Sequence, residues 1–97
     1  MYGTVARMRP KEGRLHDLET FFAAWNAERK PTAPGALASY ALVPDGATDE
    51  VIAVAIFTDE TTYRANAADP EQDGWYRRMR ELLVADPEWR DGRIVGG

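Results

Sequence analysis

The run Val51-Ile52-Ala53-Val54-Ala55-Ile56-Phe57 constrains the fold more than any other part of the chain. A strand sends alternate side chains to opposite faces, so this one is apolar on both. One face belongs under helices and the other needs a cover as well. The rest of the chain encodes too few helices for both. A second copy of the protein is therefore the expected cover for the open face.

The elements around this strand follow from periodicity. Tyr2 to Arg9 alternates as a first strand, and Pro10 ends it. From about Lys11 to Lys30 the period becomes helical, with Leu15, Leu18, Phe22 and Trp25 at three- and four-residue steps. Arg29 and Lys30 fall in the last turn, where cations suit the helix dipole. Pro31 to Gly35 is a stiff connector, and Ala36 to Val43 reads as a second strand. Pro44-Asp45-Gly46 turns the chain into the central strand, closing an antiparallel hairpin. Thr58 or Asp59 caps a helical piece through about Ala68. Asp69-Pro70-Glu71-Gln72 then starts another helix: Asp69 caps, Pro70 suits the first position and Gln72 can close a capping box. That helix is expected to reach about Ala85, with Trp75, Met79, Leu82 and Leu83 inward. Asp86-Pro87-Glu88-Trp89 looks like a capped single turn. Asp91-Gly92 looks like a reversal, and Arg93 to Val95 like a brief last strand.

The order strand, helix, strand, strand, helix, strand predicts an α+β fold of ferredoxin-like βαββαβ plan. It would be one domain over residues 1–97, a four-stranded antiparallel sheet with helices on one face. Composition narrows the function classes. The net charge of −4, with both signs interspersed, argues against general binding to nucleic acid or an anionic membrane. The chain has no cysteine, which removes disulfides, thiolate metal sites and thiol nucleophiles and fits a reducing compartment. It opens on strand-like residues without a charged-then-apolar leader, and no apolar run nears the ~20 residues of a membrane span. A cytoplasmic protein is expected.

The block Phe57-Thr58-Asp59-Glu60, then Tyr63, Asn66, Ala67, Asp69-Pro70, Trp75-Tyr76, Met79, Leu82-Leu83, Asp86-Pro87-Glu88-Trp89 and Asp91-Gly92, resembles the antibiotic biosynthesis monooxygenase-like members of the dimeric α+β barrel superfamily. The resemblance implies a homodimer whose sheets pack face to face, with a ligand pocket between each sheet and its own helices. It also implies a range of activities that includes cofactor-free oxygenases of aromatic polyketides and haem-degrading enzymes. The cofactor-free oxygenases pair an asparagine and a tryptophan one helical turn apart. Here Asn66 lies in that region, but Pro70 stands four residues on and the nearest tryptophan is Trp75. The haem-degrading branch uses an asparagine on the first strand and a histidine on the later helix, and this chain has neither.

Asn66, Tyr63, Trp75 and Tyr76 form the best candidate constellation. Asn and Tyr donate hydrogen bonds to an electron-rich substrate anion, while Trp stacks on a planar ring. Trp75 and Met79 also stand at core spacing. Phe22, Trp25, Tyr40, Phe57 and Met79 are expected as aromatic and apolar core, and as the lining of any pocket. His16 is the one side chain that titrates near neutrality unaided, and is a base only if it reaches a pocket. Arg77 is spaced to pair with Glu81, and Arg77, Arg78 or Arg80 could instead grip an anionic ligand. No phosphate loop, dinucleotide fingerprint or zinc-binding histidine pair is present.

The functional expectation is a cofactor-independent monooxygenase-like protein acting on a small aromatic or polyketide-like molecule, with no metal, flavin or haem. The alternative is a non-catalytic homodimeric module that binds a small molecule or serves assembly.

Overall fold

A computed structural model describes residues 1–97. Strand β1 (Tyr2–Met8) leads to helix α1 (Leu15–Ala24), which passes through a π-helical turn, Trp25–Arg29, and a 3-10 turn, Lys30–Thr32. Strands β2 (Ala36–Leu42) and β3 (Val51–Phe57) follow, then helices α2 (Glu60–Ala68) and α3 (Pro70–Arg80), and strand β4 (Glu88–Arg93). The four strands form one antiparallel sheet in the order β2-β3-β1-β4. This is the ferredoxin-like α+β plan.

Helix α1 starts at Leu15 rather than Lys11 because Gly13 sits at φ 76°, a left-handed conformation that a right-handed helix cannot include. Gly46, also at φ 76°, makes the turn between β2 and β3, where the Ala47 N–H donates to the Pro44 carbonyl at 3.0 Å. Asp59 caps α2 by accepting from the Thr62 N–H at 2.8 Å. Asp69 caps α3 through the Glu71 N–H at 2.9 Å, with Pro70 at the first helical position.

Two expectations at the C-terminal end need correction. Helix α3 stops at Arg80, not near Ala85, because the next residues lie along the start of the first crossover. The Lys11 N–H donates to the Leu82 carbonyl at 2.8 Å and the Val84 N–H to the Arg9 carbonyl at 2.9 Å. Leu83 is thereby buried without belonging to a helix. The segment read as a turn and a reversal is strand β4 itself: Trp89 pairs with Ala6, Asp91 with Thr4 and Gly92 with Gly3. Strand pairing overrides the turn preference of Asp-Gly here.

The sheet divides the molecule. On the helix side lie Tyr2, Thr4, Ala6 and Met8 of β1, all buried, with Val51, Ala53 and Phe57 of β3. They join Leu18, Phe21, Trp25, Met79 and Leu83 in the core. Each large apolar side chain fully buried there contributes about 1.5–3 kcal/mol. Gly3 has no room for a side chain, since a Cβ would stand 2.4 Å from the Ala55 carbonyl oxygen.

The other sheet face has no helix over it. Leu42 of β2 pairs with Ile52 of β3, Tyr40 with Val54, and Ala38 with Ile56, while Val5 of β1 lies on the far side of Val54. Tyr40 is 63% exposed, Leu42 56% and Val5 47%. Toward β4 the same face turns charged, where Arg7 lies between Glu50 and Glu88 and pairs with both. Tyr40, expected in the core or pocket lining, therefore lies on the uncovered face. No helix is long and apolar enough to cross a membrane.

Candidate functional site

Between the sheet and the helices lies a cavity of about 390 Å³. Its walls are mostly apolar: Met8 and Phe57 from the sheet, Phe21, Phe22 and Trp25 from α1 and the turn after it, and Met79 from α3. Its polar groups are Thr4, Ser39, Tyr63, Asn66, Gln72, Asp73, Tyr76 and Asp91. A few polar groups in an apolar wall is the usual make-up of a small-molecule site.

The structure brings Tyr63, Asn66 and Tyr76 to this cavity, with Phe22, Trp25, Phe57 and Met79 of the expected lining. It does not bring Trp75, whose ring packs edge-on against Phe21 at 6.0 Å and carries the Arg78 guanidinium 4.4 Å from its centroid. His16 is also outside: its side chain is 88% exposed, and Nδ1 lies 3.6 Å from Glu19. The arginines of α3 are likewise spent elsewhere. Arg77 pairs with Asp73 at 2.9 Å instead of Glu81, and Arg80 pairs with Asp86 at 2.7 Å.

One polar end is built around Tyr63 on α2 and Asp91 on β4. The Tyr63 hydroxyl donates to Asp91 Oδ1 at 2.8 Å, and Arg64 Nη1 donates to Oδ2 at 3.1 Å. Arg64 also donates to the Tyr2 hydroxyl at 2.9 Å. The Tyr63 ring is fixed by Phe57 at 5.5 Å and Tyr2 at 5.3 Å. Burial, then the hydrogen bond to the Asp91 carboxylate, pushes the Tyr63 phenol up to about 12. It is a proton donor at any physiological pH, never a phenolate base.

Burial alone would raise the Asp91 carboxyl. Hydrogen bonds from Thr4, Tyr63 and Arg64 outweigh that and hold it below the usual carboxylate range. The Thr4 hydroxyl has one proton and two acceptors in reach, this carboxylate and the Arg90 carbonyl at 3.3 Å. Asp59 is lowered by the Thr62 N–H and hydroxyl. Asp69 is lowered by the Glu71 N–H, against a burial penalty, and then by Arg29. These groups set a pH dependence. A depressed folded-state pKa adds stability that is complete above the unfolded value of about 4 and fades as pH falls through the lowered value. The melting temperature is thus expected to be level between roughly pH 5 and pH 9 and to drop below about pH 4. A thermal melt series that stays flat to roughly pH 2 would contradict the assignment.

The second polar end is centred on Arg29, which periodicity alone marks only as a helix-end cation. It is 1% exposed. Nη2 donates to Asn66 Oδ1 at 2.8 Å and to Asp69 Oδ2 at 3.2 Å, and Nη1 to the Thr32 hydroxyl at 3.1 Å. Glu71 lies 3.3 Å from Nη1. Gln72 Oε1 accepts from the Trp25 indole at 3.0 Å and from Arg29 Nε at 3.4 Å. Gln72 therefore serves this network, and its side chain is not used for a capping box. The π-helical turn carries both Trp25 and Arg29, consistent with the frequent use of such turns at functional sites. No three His, Cys, Asp or Glu side chains converge as a metal site would require.

The structure is thus an α+β ferredoxin-like fold with a mostly apolar cavity between its sheet and its helices. No family model and no curated protein matches the sequence. Solved structures do match the fold. A candidate antibiotic biosynthesis monooxygenase from Chloroflexus aurantiacus J-10-fl superposes with a TM-score of 0.80 at 20% identity, over 99% of this chain and 94% of that one. SnoaB, a cofactor-independent oxygenase from Streptomyces nogalater, gives 0.79 at 20% identity, over 97% and 94%. A Nitrosomonas europaea protein of unknown function gives 0.81 at 18% identity, over 99% and 90%. Likeness at this level of identity establishes the shared fold.

Proposed function

We propose that the protein belongs with the antibiotic biosynthesis monooxygenase-like proteins and oxidises a small aromatic or polyketide-like molecule without a cofactor. The observation that carries this reading is the apolar cavity of about 390 Å³ into which α2 and α3 bring Tyr63, Asn66 and Tyr76. The fold shared with SnoaB supports it. In the proposed reaction the substrate loses a proton to give a delocalised anion, and that anion reduces dioxygen. One oxygen atom enters at a ring C–H carbon as a hydroxyl, the substrate's two O–H hydrogens leave with the other oxygen as water, and the ring becomes a hydroxyquinone. The chain's part is to bind the planar anion, exclude bulk water and stabilise its oxygen with the Asn66 amide and a tyrosine hydroxyl. Asp91 is a poor base, held below the carboxylate range by its donors, and the one histidine lies outside the cavity. The reading therefore favours a substrate acidic enough to ionise readily, such as a hydroquinone. The test is oxygen uptake with a panel of polycyclic hydroquinones, recorded for the native chain and for Asn66→Ala and Tyr63→Phe.

One observation favours the non-catalytic alternative: the Tyr63 proton is already committed to Asp91 at 2.8 Å. On that reading the cavity only holds its ligand. Ligand-dependent melting shifts without oxygen uptake would select it.

The functional unit in this proposal is a homodimer closed over the open sheet face, working in the cytoplasm, which the cysteine-free composition suits. The exposed Tyr40, Leu42 and Val5 support the dimer, as apolar groups grouped on one face mark an interaction surface. Sedimentation of a dilute sample is expected to give twice 10.8 kDa, and Leu42→Glu with Tyr40→Glu to give the monomer mass. A native chain that sediments as a stable, folded monomer rules the dimer out.

A further inference from the structure

We infer that Arg29 locks Asn66 and Gln72 as a pair of free amide donors, and that this pair selects ligands carrying an acceptor oxygen. The acceptor would be a ketone carbonyl, or the phenolate or enolate oxygen of an ionised ring. A side-chain amide has an accepting end and a donating end, and what it offers a ligand depends on which end is tied down. Arginine and the tryptophan indole are donors only. Asn66 Oδ1 is held by Arg29 at 2.8 Å, and Gln72 Oε1 by Trp25 at 3.0 Å and Arg29 at 3.4 Å. Turning either amide over would set its NH2 against an N–H group. Both oxygens are thus fixed on one guanidinium, and both NH2 groups are left over. Neither NH2 has a partner in the protein, and neither is sealed off, since Asn26 Oδ1 is the one buried side-chain polar atom without a partner. Both residues line the cavity.

The guanidinium is rigidly placed, with its side chain 2% exposed, and its charge is balanced by Asp69 at 3.2 Å and Glu71 at 3.3 Å. Recognition is then by hydrogen bonding rather than net charge. A neutral ketone is accepted, while a ring bearing only hydrogen leaves two donors unsatisfied. Arg29 acts here as a positioning residue. The inference rests on reading this cavity as the ligand site, and concerns binding rather than turnover.

The test uses two probes of matched shape, 9-fluorenone and fluorene, which differ by a carbonyl against a methylene. Fluorenone is expected to bind the native chain about tenfold tighter by tryptophan-fluorescence titration, as two modest hydrogen bonds would give. Asn66→Asp and Gln72→Glu keep the oxygens that Arg29 and Trp25 need and remove the NH2. Each is expected to melt at or above the native temperature and to lose most of the fluorenone preference. In Arg29→Lys the ratio of the two affinities should fall while fluorene binding persists, which a merely structural arginine would not produce. Equal affinity of the two probes for the native chain, including no binding of either, overturns the inference, as does an undiminished preference in both carboxylate variants. Loss of the oxygenase reading leaves a different signature: the fluorenone preference intact and no oxygen uptake with any hydroquinone.

Discussion

Replacing Arg29 by methionine is expected to cost about 3 kcal/mol of stability, the loss associated with removing one partner from a buried charged network. For a domain of this size that is a fall in melting temperature of roughly 15 °C. The cost depends on which groups are left stranded. Asp69 and Glu71 have side chains 40% and 61% exposed, so water takes over their part and little is lost there. Asn66 Oδ1, on a half-buried residue, loses the Arg29 donor that holds it, while Gln72 Oε1 keeps only the Trp25 indole. The same side chain ties the turn after α1 to α2, to the start of α3 and to Thr32. Lysine keeps the charge but not the planar fork, and should recover only part of the loss. A melt of Arg29→Met within about 4 °C of the native chain would show that the network contributes no more than ~1 kcal/mol.

The second large effect concerns turnover. Under the proposed oxygenase chemistry, Asn66→Ala removes the amide donor nearest the α2 end of the cavity. Oxygen uptake with an accepted hydroquinone is expected to fall about 100- to 1,000-fold, the range for losing one donor to a developing oxyanion. Tyr63→Phe should cost less, about tenfold, because its proton is shared with Asp91 in the resting site. With the Tyr63 phenol pushed up to about 12, uptake should show no fall due to its ionisation below roughly pH 11. Native rates in Asn66→Ala would leave the cavity without its proposed role.

The elements with buried faces were legible in the chain because burial writes a period into the sequence. β1 and α1 each place apolar residues on one clear side, while β3 is marked by being apolar on both faces, and the uncovered face follows from that composition. Strand β4 was not legible, and the reason is physical. All six of its residues are exposed, so Glu88 to Arg93 carries no alternation, and its place is fixed by backbone pairing to β1. Helix α3 was read too long because Leu82 and Leu83 keep a helical spacing while serving the contact with Arg9 to Lys11.

The site shows the same division. Tyr63, Asn66 and Tyr76, singled out by residue type and position after the third strand, do line the cavity. Trp75 has the same credentials on paper, but its spacing from Met79 sends it into packing. Tyr40 reads as core by its alternation with Leu42, and which face of a strand is covered is decided by the crossovers, outside the strand itself. Arg29 and Gln72 were missed because each looks sufficient locally, one as a helix-end cation and the other as a capping residue. Their partners lie 37 to 47 residues apart in sequence, and nothing local announces them.

The borders of the sheet have a bearing on solubility. An unpaired strand border invites end-on growth into fibrils, and both borders here are spoiled for it. β4 lines one with Glu88, Arg90, Asp91 and Arg93, whose charges would have to be stripped of water before another chain could add. β2 breaks the other with a bulge between Ala36 and Ala38, which disturbs the register a newcomer would copy. Any self-association is thereby steered away from open-ended polymers and toward contacts that close on themselves.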